Sequence, residues 1–161
     1  MQIVTYDAKV GKLYIARKNN ILLAISYSPF KDDYLKKLTS ESSIKISGND
    51  ANTLIDQLNA YFSGKNFGFS VQMELRGSEF QKKVWLACAK IPYGKTRSYA
   101  ELAKAIGNPK ATRAVGTALG NNPISIIIPC HRVLRSNGEM GGYAGGLDVK
   151  RKLLALEQEN N

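Results

Sequence analysis

Cysteine and histidine are scarce in this chain of 161 residues, which holds two cysteines, Cys88 and Cys130, and one histidine, His131. Two cysteines are too few for a disulfide scaffold. With 43% hydrophobic residues the chain can bury a core without one. The two thiols and one imidazole show no ligand-pair spacing, and none precedes residue 88, so no zinc site and no cofactor is expected. Long apolar runs are missing as well, which excludes a membrane-spanning helix. The opening stretch "MQIVTYDAKVGKLYIARK" carries Asp7 and no apolar core segment, so it does not read as a secretory signal. A soluble, cytoplasmic protein with reduced thiols is the expectation.

Acidic residues are also in short supply. Thirteen Asp and Glu face 23 Lys and Arg, a net charge of +10. The excess is uneven: residues 1–75 hold nine basic and seven acidic residues (+2), whereas residues 76–161 hold fourteen and six (+8). A basic half points to a polyanion. Nucleic acid ranks ahead of an anionic membrane, because no strongly basic amphipathic stretch stands out. A solubilising surface explains the same charge, and composition leaves both readings open.

What is present divides the chain in two. "KLYIARKNNILLAISYS" has two β-rich runs around Asn19-Asn20, a dipeptide suited to a two-residue hairpin turn. "NDANTLIDQLNAYFSG" spaces Leu54, Leu58 and Phe62 for a helix, with Asn49 or Asp50 as its cap and Gly64 as its stop. The pattern predicts a small strand-rich α/β domain with antiparallel strands over 1–75. A mainly helical domain over 76–161 follows, an α+β protein overall.

Ser78 and Gln81 have capping-box spacing ahead of "FQKKVWLACAKIPYG", whose stripe Phe80, Val84, Cys88, Ile91 makes Cys88 a buried packing residue. Ser98 and Glu101 repeat the spacing before a helix from Tyr99 that Gly107 can close. Asn108 and Pro109 read as cap and first residue of a second helix, with Ala111, Ala114, Val115 and Ala118 inward. Two short helices joined by a tight glycine turn form a helix-turn-helix pattern. The second helix offers Lys110 and Arg113 outward among small residues (Ala111, Thr112, Thr117), a surface that a duplex could approach closely.

Next comes "NNPISIIIPCHRV". Its apolar run reads as a buried strand ended by Pro129, so Cys130 sits where that strand meets a turn. Five glycines follow between 138 and 146, and then a helix capped near Asp148 with Val149, Leu153 and Leu156 inward. Cys130 has two readings from chemistry alone. It is a buried packing residue, or a nucleophile whose proton the neighbouring His131 can take. Neighbours on an extended chain point apart, so the pair needs a turn or a bridging water.

"IPCHRV", with "NNP" and "GNPKATRAVG" upstream and "GGYAGG" and "LLALE" downstream, strongly resembles the O6-alkylguanine-DNA alkyltransferases. The resemblance runs from about Ser78 to Glu157; the first half resembles the family only in general architecture. It implies a monomer that acts once on double-stranded DNA containing O6-alkylguanine, taking the alkyl group onto Cys130. His131 and Glu157 would form a relay that lowers the thiol pKa, and Asn122 would brace the cysteine's turn. Tyr99 would donate a hydrogen bond to the departing guanine. Arg113 would hold the space of the flipped nucleotide. Tyr143, Ala144 and Gly145 would line the base pocket, with the Val133 backbone nearby. Ala144 stands where relatives often carry a serine. A binding protein that flips alkylguanine without chemistry, and a cysteine hydrolase, are the alternatives from other classes.

Overall fold

A computed structural model of the chain describes residues 1–30, 32–37, 43–46, 53–65 and 68–161. The first part is built on β1 (Gln2–Ala8), β2 (Gly11–Lys18) and β3 (Ile21–Ser26), followed by α1 (Asp32–Lys37), β4 (Ser43–Ile46), α2 (Leu54–Phe62) and β5 (Met73–Arg76). The strands form one sheet in the order β1-β2-β3-β5-β4. Asn19 and Asn20 both take positive φ, 48° and 63°, as a primed two-residue turn requires, and β2 pairs antiparallel with β3 across it. The sheet is not wholly antiparallel: β3 pairs parallel with β5 through Leu22 and Met73. A parallel pair needs a crossover connection, and the chain from α1 to α2 supplies it.

Strand β3 is buried on both faces. Leu22 and Ile25 join the main core, and Leu23 and Ala24 join a smaller cluster with Ala16. Helix α2 packs Leu54, Leu58, Tyr61 and Phe62 onto that core. Each fully buried large side chain contributes about 1.5–3 kcal/mol. The N-cap of α2 is Thr53, whose hydroxyl accepts from Asp56 N at 3.2 Å; Asn49 and Asp50 lie outside the described residues. Gly64, at φ 72°, ends the helix as expected.

The second part contains α3 (Glu79–Ala89), β6 (Arg97–Ser98), α4 (Tyr99–Ala105), α5 (Thr112–Gly120), a 3₁₀ turn (Cys130–Arg132), β7 (Val133–Leu134) and α6 (Leu147–Glu159). Both expected capping boxes form, Ser78 with Gln81 and Ser98 with Glu101. Cys88 is fully buried on α3, and Trp85 Nε1 donates to the Ala118 carbonyl of α5 at 2.8 Å.

Helix α5 begins later than the sequence suggests. Asn108 to Ala111 close a turn through Ala111 N to Asn108 O at 3.0 Å, and Ala111 is the N-cap with no side-chain cap. Proline fits the second position of such a turn as well as it fits a helix start, so Pro109 was ambiguous. Lys110 and Ala111 therefore lie ahead of the helix, and Ala114 is exposed; the inward residues are Val115, Ala118 and Leu119. Helix α6 likewise starts at Leu147 after Gly146, and Asp148 lies in its first turn, paired with Arg151.

Residues 124–128 are buried, with Ile127 partly so, but they are not a strand. Ile126 has φ 75° and Ile128 N donates to Ile124 O at 3.0 Å, so the segment doubles back. A β-branched residue in the left-handed region costs on the order of 1–3 kcal/mol, which only a strongly determined surrounding holds. The surrounding is β3: Ile25 N donates to Pro123 O at 2.9 Å and Ser125 N to Ile25 O at 3.2 Å. One continuous apolar core, from Leu13 to Leu153, runs beneath both parts.

Candidate active site

Cys130 opens the 3₁₀ turn with its side chain almost wholly buried. Asn122 braces it. The Asn122 amide nitrogen donates to Ile128 O at 2.8 Å and to Cys130 Sγ at 3.2 Å, while its Oδ1 accepts from Ile124 N at 2.9 Å. One side chain thus closes the reversed segment and aims a donor at the sulfur. Burial pushes the Cys130 thiol up; the Asn122 hydrogen bond and the Lys150 ammonium pull the other way without overcoming it. The sequence reading expected a thiol pKa lowered by the relay. Burial acts against that lowering, so a base has to take the thiol proton as the reaction proceeds.

The 3₁₀ turn takes Cys130 and His131 out of an extended chain. It brings His131 and Arg132 together on the Glu157 carboxylate of α6. His131 Nε2 meets Oε1 at 2.7 Å; Arg132 donates from Nη2 to Oε1 and from Nε to Oε2, both at 2.8 Å. Tyr61 of α2 donates its hydroxyl to Oε1 at 2.7 Å, and Gly94 N donates to Oε2 at 3.2 Å. Burial alone would raise the Glu157 pKa, but the His131 and Arg132 hydrogen bonds, and the positive charge of Arg132 and of His131 when protonated, hold it well below the usual carboxylate range. An ionised carboxylate only accepts, which assigns the proton on His131 to Nε2. Burial pushes the His131 pKa down; the Glu157 hydrogen bond and charge pull it back up without overcoming burial, and the charges of Arg132 and Lys150 add to the lowering. Burial favours the neutral imidazole, whose lone pair is then on Nδ1. That atom is buried without a hydrogen-bond partner among the described residues.

Above the thiol lies a cleft of about 730 Å³. Tyr99, Thr112, Arg113, Thr117, Tyr143 and Ala144 form its walls, together with Gly116, Gly141 and Gly142, and Cys130 lies in it. Tyr99 reaches it because β6 pairs with β7, Ser98 opposite Leu134, so the start of α4 lies beside the exit of the cysteine turn. The Tyr99 hydroxyl occupies the space that a Cβ at Gly141 would take, so a larger residue there would displace Tyr99. Arg135 and Ser136, which the sequence did not single out, also line the cleft. Among the described residues no group of three His, Cys, Asp or Glu side chains is placed to hold a metal ion, and no helix is long and apolar enough to cross a membrane.

Residues 79–159 match the family model for the 6-O-methylguanine DNA methyltransferase DNA-binding domain. A methylated-DNA–protein-cysteine methyltransferase of Mycolicibacterium paratuberculosis is 43% identical over 98% of this chain and 92% of its own length. The chain belongs to this methyltransferase family. One from Methanosarcina acetivorans is 59% identical over 63% of the chain and 65% of its own length. The crystal structure of Mycobacterium tuberculosis O6-methylguanine methyltransferase superposes with TM-score 0.83 at 40% identity, over 99% of this chain and 94% of that one. The same enzyme in complex with DNA gives 0.80, covering 97% and 92%.

Most residues that the resemblance nominated converge on one place. Cys130, Tyr99, Thr112, Arg113, Thr117, Tyr143 and Ala144 share the cleft; Asn122, His131 and Glu157 lie behind the sulfur. Four do not line it. Lys110 and Ala111 lie in the turn before α5. Val133 is buried with its carbonyl accepting from Lys150 Nζ at 2.8 Å. Gly145 packs instead against the ring of Tyr27. The sequence reading missed Arg132 as the main partner of Glu157, although it stands next to His131.

Proposed function

We propose that this methyltransferase repairs DNA by direct reversal, moving an alkyl group from O6 of guanine to Cys130 in a single irreversible turnover. The observation that carries the reading is a thiol hydrogen-bonded by Asn122 at the floor of a cleft with aromatic and basic walls. The M. tuberculosis relative has been crystallised with DNA, which supports DNA as the partner here. In the cytoplasm the monomer binds DNA through its basic half, +8 over residues 76–161. Helices α4 and α5 act as the helix-turn-helix, with Arg113, Thr112 and Thr117 toward the duplex. A methyl group on O6 lies within the base stack, so the nucleotide is turned out into the cleft, with Tyr143 and Ala144 as its walls. Arg113 takes up the vacated space.

The chemistry conserves atoms without any cofactor. As Sγ attacks the alkyl carbon, the S–C bond forms and the C–O6 bond breaks. The thiol proton passes to His131 Nδ1, through a bridging water, and Glu157 steadies the imidazolium through Nε2. Tyr99 donates its hydroxyl hydrogen bond to the leaving guanine, whose developing charge it meets. The proton count closes when guanine takes up one proton. The product is a thioether with no carbonyl for water to attack, so the cysteine is not regenerated.

The mass of the intact protein after incubation with duplex DNA carrying O6-methylguanine tests this. One methyl group on each protein, located on the peptide that contains Cys130, is expected. An unchanged mass with retained binding means a non-catalytic binder. Many product molecules per protein from an ester or amide mean a hydrolase. Either result overturns the proposal.

A further inference from the structure

The end of strand β3 lies against a wall residue of this site from the other part of the molecule. Tyr27 follows the strand directly, and its hydroxyl lies 2.7 Å from the hydroxyl of Tyr143. The two rings also meet edge to face, centroids 5.6 Å apart. Tyr143 in turn stands edge-on to the His131 ring at 6.4 Å, so it is held between the relay and Tyr27. Space for the Tyr27 ring is reserved in the glycine loop: a Cβ at Gly145 would come within 2.8 Å of it. Two residues earlier, Ile25 makes the backbone hydrogen bonds that hold Pro123 and Ser125 beside the cysteine's turn.

We infer that Tyr27 is a positioning residue of the alkyl-transfer site, pinning the pocket wall Tyr143 through its hydroxyl; this rests on Cys130 being the alkyl acceptor. Without that hydrogen bond the Tyr143 ring has rotational freedom, and the base pocket loses a fixed wall before substrate arrives. The effect falls on recognition of the base rather than on the thiol. Glycine at 145 is explained by the same packing, since a larger residue would push Tyr27 away from Tyr143.

Tyr27→Phe removes the hydroxyl and keeps the ring, so packing on β3 is preserved. Single-turnover rates with O6-benzylguanine, which needs no DNA, give a half-saturating concentration and a limiting rate. Tyr27→Phe is expected to raise the half-saturating concentration about three- to tenfold, the worth of one hydrogen bond, with a smaller change in the limiting rate. Tyr143→Phe should show a similar loss, and the double variant no more than either alone, because both remove one bond. Thermal midpoints of the variants separate positioning from folding. Unchanged kinetics in Tyr27→Phe, additive losses in the double variant, or a loss that only tracks a lowered midpoint would overturn the inference. Wild-type protein that fails to react with O6-benzylguanine or methylated duplex would overturn the alkyl-acceptor reading itself.

Discussion

The two cysteines differ in surroundings, and that difference assigns their roles. Cys88 is sealed in the α3 core, where burial pushes its thiol pKa far up. Cys130 meets a cleft and a donor from Asn122. Cys130→Ala should abolish alkyl transfer and leave duplex affinity intact, while Cys88→Ala should keep transfer and cost only packing, about 1–2 kcal/mol. Electrophoretic binding and transfer of labelled methyl groups check both; transfer by Cys130→Ala would sink the assignment. The pH profile tests the relay. His131 accepts a proton only when neutral, and its pKa lies below the usual 6.5. The wild-type rate should therefore be flat across roughly pH 6.5 to 8.5 and fall at lower pH. With His131→Gln the thiol has no base, so the rate should drop about 10²- to 10⁴-fold at neutral pH. It should then climb about tenfold per pH unit, following the thiolate. A flat profile in that variant would rule the relay out.

At the scale of elements, the features with a local cause were legible in advance. The two capping boxes and the Asn19-Asn20 turn rest on contacts within three or four residues, and all three form. The start of α5 was not, because Pro109 satisfies a turn and a helix start alike. The reversed segment at Ile126 was not either: its backbone is held by β3, about a hundred residues away in sequence. The donors on Glu157 come from positions 61, 94, 131 and 132, so only the pair carried by the resemblance was visible. Arg113, exposed in the first turn of α5, lines the cleft, whereas His131 and Glu157 do not. If it fills the space left by the flipped nucleotide, Arg113→Ala should slow transfer from duplex DNA about ten- to a thousandfold, since unstacking a base costs a few kcal/mol. Reaction with O6-benzylguanine should change little. Equal losses on both substrates would show that Arg113 shapes the pocket and not the flipped state.

For the molecule as a whole, Glu157 is where the two parts are fastened together. Its carboxylate takes hydrogen bonds from Tyr61 of α2, from the turn at Gly94 and from the 3₁₀ turn that carries the site. Catalytic support and global stability thus share one group, and acid should weaken both. The unfolded carboxyl has a pKa near 4.5 and the folded one about 2. A depressed folded pKa gives stabilisation that is present above 4.5 and is lost as pH falls toward 2. Much of this stabilisation is gone by pH 3. His131 adds to it in the same direction, because below about pH 6.5 the unfolded chain takes up a proton that the buried ring resists. Denaturant midpoints measured between pH 7.5 and 3 should therefore decline in two stages. Glu157→Gln cannot ionise and leaves the Arg132 charge without its partner, costing about 3–5 kcal/mol at neutral pH. Its deficit relative to wild type should shrink as pH falls from 5 to 3, where the wild-type carboxylate increasingly loses its advantage. A deficit that stays constant over that range would mean that Glu157 contributes shape and hydrogen bonds but no charge, and the assignment of His131 as a neutral base supported by an anion would fall with it.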